Sequence, residues 1–125
     1  MNVITEKDLQ KIMDKNSMLG RHGFGKGKYG RVKTPDELEK NEEIKFDEFK
    51  KCVQWMSENL EIKQIGSKFE CESYEIKHMV ENDLGGYIPN GAAIAAGIFL
   101  DIPIARRTGQ YVNFRAKSKV KQTRF

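Results

Sequence analysis

The sequence predicts an α+β fold: one mostly helical domain of four or five helices with a small β-hairpin or short sheet. Three observations carry that prediction. Apolar residues recur at spacings of three and four in several separate stretches, the period of a helix with one face on a core. One stretch near the C-terminus alternates apolar and polar residues, the period of a strand. A length of 125 residues, with 38% hydrophobic and 32% charged residues, suits a single core rather than a disordered chain or two domains.

The elements are expected in this order. Thr5 opens a helix to about Lys15, with Asp8 near its positive end and Leu9, Ile12 and Met13 on one face. Residues 16–33 break the pattern with five glycines and six Lys, Arg or His residues, and read as a flexible basic loop. Thr34, Pro35, Asp36 and Glu37 then start a brief helix to about Lys40. A longer helix spans about Phe46 to Leu60, with Phe46, Phe49, Val53, Met56 and Leu60 as its inward stripe and Cys52 and Trp55 beside it. Ile62 to Phe69 reads as a short strand, with Gly66 against it.

Ser73 is positioned to cap a helix of about Tyr74 to Asp83, ended by Gly85-Gly86. Asn90 would cap a helix from Gly91 to about Leu100, stopped by Asp101-Ile102-Pro103. Tyr111 to Lys117 alternates as a strand, with Val112, Phe114 and Ala116 on one side. Residues 118–125 read as a solvated basic tail.

Charge is distributed unevenly. Net charge is +5 over residues 1–33, −8 over 34–105 and +7 over 106–125. Two basic ends flanking an acidic body suit an anionic partner, and equally suit folding back on that acidic body. Arg21, Lys26, Lys28, Tyr29, Arg31 and Lys33 in the arm are therefore candidate contacts, as are Arg106, Arg107, Arg115, Lys117 and Lys119 toward the tail. A glycine backbone lets cations reach phosphates while aromatic rings stack on bases.

The chemistry-bearing motifs point away from an enzyme. Gly25, Gly27, Gly30 and Val32 fit the glycine-rich loop of protein kinases, but no His-Arg-Asp or Asp-Phe-Gly sequence accompanies them. Two cysteines and two histidines without Cys-x-x-Cys or His-x-x-x-His spacing give no metal site. No serine or cysteine has the neighbourhood of an activated nucleophile. The two helices around residues 74–100 mimic a helix-turn-helix, yet the second reads Gly-Ala-Ala-Ile-Ala-Ala-Gly-Ile-Phe-Leu and offers nothing to base edges. No cofactor is expected.

The longest apolar run, Ala92 to Leu100, is too short to span a membrane, and Glu6, Lys7 and Asp8 do not suit a secretory signal. A cytoplasmic location with Cys52 and Cys71 as free thiols is the expectation.

Ser73-Tyr74-Glu75-Ile76-Lys77-His78 with Glu81, the run Gly86 to Gly97, and Val112-Asn113-Phe114 together form a pattern. It resembles small proteins of phages, plasmids and integrative elements that carry Ser-Tyr-x-Leu-Lys-His-x-x-Glu, Tyr-Val-x-Asn-Gly and Ile-x-Ala-Ala blocks. The resemblance covers roughly residues 46–119, with Ile76 and Pro89 as departures, and leaves the glycine-rich arm outside. It implies a protein that disables host defence by binding a host protein or nucleoprotein complex, a CRISPR effector among the candidates. It adds Tyr74, Lys77 and His78 as a candidate binding face. Direct binding of DNA or RNA by an accessory or regulatory protein is the alternative, and the oligomeric state is open.

Overall fold

A computed structural model describes residues 3–16, 19–21, 23–24, 43–106 and 112–119. Within them lie four helices: α1 (Glu6–Lys15), α2 (Phe46–Asn59), α3 (Ser73–Leu84) and α4 (Asn90–Phe99). Seven short strands accompany them: β1 (Leu19–Gly20), β2 (Gly23–Phe24), β3 (Leu60–Ile62), β4 (Cys71–Glu72), β5 (Ile104–Arg106), β6 (Val112–Phe114) and β7 (Ala116–Ser118). The small α+β architecture is the one the sequence predicts. The brief helix expected at residues 34–40 lies outside the described residues.

α4 is the centre. Its residues from Asn90 to Gly97 are all buried, and α1, α2 and α3 pack around it. Alanine and glycine let neighbouring elements come close, and the helix has no polar face to show to water. The helix-turn-helix reading fails on this burial, since a helix enclosed on all sides cannot enter a groove. The connection from Leu84 to Asn90 is set by Gly85 and Gly86, whose φ values of 78° and 81° favour glycine. The far end of α4 stops where the sequence expects. Asp101 adopts φ 57° and the Ile102 N–H donates to the Gly97 carbonyl at 3.0 Å, a left-handed helix stop.

The inward stripe of α2 is as expected at Phe49, Val53 and Met56, with Cys52 and Trp55 also buried. Phe46 is only half-buried, and the helix ends before Leu60, which instead opens β3 with its side chain still buried. Trp55 Nε1 donates to Asp83 Oδ2 at 2.5 Å, tying α2 to α3 through the one polar atom of a buried indole. α1 is fixed at its start by Thr5, whose backbone N–H donates to Asp8 Oδ2 at 2.8 Å. Leu9 and Ile12 of α1 face the core.

The successive strands β6 and β7 belong to two different antiparallel sheets. β4, β6 and β5 form a three-stranded sheet with β6 in the middle, Phe114 lying opposite both Cys71 and Ile104. β3 pairs with β7, Leu60 opposite Ser118. The predicted strand at 111–117 is thus two strands with a corner at Arg115, where the Arg115 N–H donates to the Pro103 carbonyl at 2.9 Å and its carbonyl accepts from Lys63. The predicted alternation holds across the corner, since Val112, Phe114 and Ala116 are all buried.

Five expectations are corrected. The strand placed at residues 62–69 is β3, two residues earlier in start and much shorter, because Gly66 at φ 95° and the Ser67 N–H bond to Gln64 carbonyl turn the chain. Ser73 does not cap α3: Glu72 holds the cap position, and Ser73 Oγ, fully buried, accepts the Val112 N–H at 3.1 Å and fastens the helix to β6. Asn90 likewise is the first residue of α4 rather than its cap, a place taken by Pro89.

The stretch at 16–33 is not loop throughout, because β1 and β2 form a hairpin whose Leu19 is fully buried. The tail also begins later than residue 118. Ser118 is paired in β7, and the Lys119 N–H donates to the Asn59 carbonyl at 2.7 Å.

Candidate functional site

The residues that the sequence singles out fall in three places. Lys26, Lys28, Tyr29, Arg31, Lys33 and Arg107 lie outside the described residues, and of Arg106 only the backbone, in β5, is described. Arg115, Lys117 and Lys119 belong to the β6–β7 corner and its continuation. Arg115 Nε donates to the Lys63 carbonyl at 3.0 Å and its guanidinium lies 5.7 Å from the Phe69 ring. Lys117 and Lys119 are exposed, Lys117 at 3.8 Å from Glu61, a surface pair of small energetic weight. Arg21, Tyr74, Lys77 and His78 are brought together around a residue that the sequence reading passed over, Tyr87.

Helical spacing builds this cluster. Tyr74, Lys77, His78 and Glu81 lie three or four apart on α3, so their side chains share one face. Lys77 is buried, its ammonium 3.4 Å from Glu81 Oε2. His78 Nδ1 lies 2.9 Å from Glu81 Oε1, and the His78 and Tyr74 rings meet edge to face at 4.5 Å. Glu81 Oε2 also accepts the Ile88 N–H at 2.9 Å, so one carboxylate fixes both the cation of α3 and the segment that carries Tyr87. The Lys77 ammonium sits between two aromatic rings, 5.3 Å from the Tyr74 centroid and 5.1 Å from that of Tyr87. Such distances give a cation–π attraction.

Arg21 joins from the β1–β2 hairpin. Both terminal nitrogens donate to Glu48, at 2.9 and 2.8 Å, and the guanidinium lies 5.9 Å from the Tyr87 ring. The Arg21 carbonyl accepts the Gly91 N–H at 2.9 Å, at a place where a Cβ on Gly91 would run into the backbone of Gly20 and Arg21. The hairpin is therefore held to the start of α4 by its backbone and to α2 by the Arg21 side chain. Glu48 is buried, and the forked pair satisfies its carboxylate.

The outcome is a face with two outward tyrosines over two restrained cations. Tyr74 is 40% and Tyr87 56% exposed, whereas Lys77 is 7% exposed. Both cations have a carboxylate partner, so the cluster itself carries little net charge. Arg21 is thus a structural anchor in this structure as well as a member of the candidate face. Signals for the missed members were uneven. Glu81 stood at i+4 from Lys77 and i+3 from His78, which is legible, whereas Glu48 is 27 residues from Arg21 and leaves no local trace.

Other chemistry has weaker support. Cys71 lines a cleft of about 210 Å³ with Lys63, Glu70, Glu75 and Lys117. Burial and the neighbouring Glu75 push its thiol up to about 11, against the Lys63 charge, so it is protonated near neutrality and a poor nucleophile. Burial drives the Cys52 thiol higher still. Both cysteines are free. Among the described residues no group of three or more His, Cys, Asp or Glu side chains could hold a metal ion, and no described helix is long and apolar enough to cross a membrane. The chain matches no family model, no curated protein and no solved structure, so its function has to be read from its own residues.

Proposed function

We propose that this protein acts by binding rather than catalysis, as a phage or mobile-element protein that inhibits a host defence nucleoprotein in the host cytoplasm. The observation that carries the reading is the Tyr74–Lys77–Tyr87 face with Arg21 and His78. Rigid tyrosines held by locked cations are the side chains that dominate interface energetics, because they bury large area at little conformational cost. The sequence pattern around residues 73–97 supplies the mobile-element part of the reading, and the basic ends supply attraction to an assembly rich in phosphate.

The test is a plating assay in which the chain is expressed in a host whose CRISPR or restriction system blocks a phage. Expression should restore plating, and Tyr74→Ala with Tyr87→Ala should abolish the rescue. Unchanged restriction across such systems would reject the inhibitor reading.

The second reading, a protein that binds nucleic acid directly, is favoured by the same exposed rings together with Lys26, Lys28 and Arg31 in the sequence of the arm. A gel shift that weakens steeply with salt and with alanine at those three cations is its expected result.

A further inference from the structure

We infer that Tyr74 and Tyr87 form a two-ring stacking platform for unpaired bases of a single-stranded nucleic acid, with the Lys77 ammonium as the fixed spacer between the rings. The inference rests on the nucleoprotein reading above and names the component of the partner that this face takes. Both rings lie within 5.3 Å of one ammonium, so they are close enough for one strand to lay bases on both. Both are exposed, and each has a cation against it, Lys77 at Tyr74 and both Lys77 and Arg21 at Tyr87. His78 packs edge-on against Tyr74 and Glu81 holds the Ile88 backbone beside Tyr87, so neither platform has to be ordered on binding.

A duplex keeps its bases stacked on one another and offers no face to a tyrosine. Single strands do, with little regard to sequence. Charge complementarity points the same way. The chain is positive at both ends, and the hairpin bearing Arg21 leads in sequence into Lys26, Lys28, Arg31 and Lys33 with no acid before Thr34. Within the face, however, Lys77 and Arg21 already have Glu81 and Glu48 as partners. The platform therefore contributes stacking, and the phosphate attraction must come from cations elsewhere. This division has a consequence that simple charge attraction lacks: loss of a ring should weaken binding by the same factor at low and at high salt.

The test is fluorescence anisotropy of the full chain with short labelled oligothymidine, oligouridine and a duplex of matched length, over a range of salt. Single strands should bind more tightly than the duplex. Tyr74→Ala and Tyr87→Ala should each weaken single-strand binding about tenfold, independently of salt, while Tyr→Phe at either position retains it. Both side chains are exposed, and a thermal melt confirms that the variants fold. Absence of binding at low salt, or folded alanine variants that bind like the parent, would overturn the assignment. A chain that still restores plating but takes up neither oligomer would keep the inhibitor reading and reject the stacking platform; so would a preference for the duplex.

Discussion

α4 and the tyrosine face come from neighbouring stretches of sequence and do opposite work. Asn90 to Gly97 is enclosed on every side, and its small residues are there because other elements need their space. Gly91 leaves room for the backbone of the β1–β2 hairpin, and Gly97 for the Phe114 ring. Tyr74 and Tyr87, by contrast, are large side chains left in solvent next to an ammonium that is itself buried. A single recognisable pattern running from Ser73 to Gly97 is thus part packing specification and part surface. Ser73, Ile76, Ile88 and the glycine-alanine run belong to the first, and Tyr74, His78 and Tyr87 to the second. Similarity to the pattern alone would not separate the two.

Substitutions in the packed region should have the largest effect on stability. Gly91→Ala places a methyl against backbone atoms that cannot rotate away, and it endangers the bond from the Gly91 N–H to the Arg21 carbonyl. A loss of about 3 kcal/mol or more is expected by urea unfolding. Gly97→Ala meets a side chain instead, the ring of Phe114. Its loss should be about 2–3 kcal/mol, and Phe114→Leu in the same chain should recover part of it, a non-additivity that only contacting residues show. Full additivity would mean that Gly97 is not there to admit the ring.

The joint between the two regions is next. Glu48→Ala leaves the Arg21 guanidinium, 19% exposed as a side chain, without its forked partner. The expected cost is about 2 kcal/mol, at the low edge for a buried pair because Arg21 retains some water. If Arg21 serves only as an anchor, Arg21→Ala should cost a similar amount. If it also polarises Tyr87, that variant should weaken single-strand binding as well, which Glu48→Ala would not do so long as the guanidinium stays beside the ring.

The sequence made the packed region legible and the joint opaque, for physical reasons. The burial of α4 follows from composition, since ten residues without a charge have nothing to show to solvent. The inward stripe of α2 follows from period. The caps at Ser73 and Asn90 were misplaced because a small polar residue before a helix satisfies either a helix end or a neighbouring strand. Only the position of Val112, 39 residues away, decides that Ser73 does the latter. The corner at Arg115 is invisible for a related reason: alternation continues unbroken through it, so the pattern cannot report that the partner strand changes. In the candidate site, Tyr74, Lys77 and His78 are marked by the resemblance of the block from Ser73 to Glu81, while Tyr87 comes to them only because Gly85 and Gly86 turn the chain back onto α3.

A pH experiment probes the β4 edge of the sheet. The folded thiol of Cys71 titrates at about 11, above the ordinary value of 9.0 that it has when unfolded. The unfolded chain therefore releases this proton first as pH rises, so the contribution of the half-buried thiol is intact below about 9 and is lost between about 9 and 11. Unfolding free energy should fall across that window, and Cys71→Ser should flatten the fall. Alkylation of Cys71 in the folded protein should keep accelerating up to about pH 11 rather than level off near 9.

The smallest stability effect should come from the face itself. Tyr87 is 56% exposed, so Tyr87→Ala gives up little buried area, and the Lys77 ammonium keeps its other ring, Tyr74, and Glu81. A change within about 1 kcal/mol is expected by thermal or urea unfolding. A much larger loss would show that the ring is a structural lid on Lys77, kept in place to shield a costly buried charge. A small one leaves an exposed aromatic side chain whose removal costs the fold almost nothing. The fold then gives no reason to hold a large ring at this place, and the explanation passes to whatever binds there.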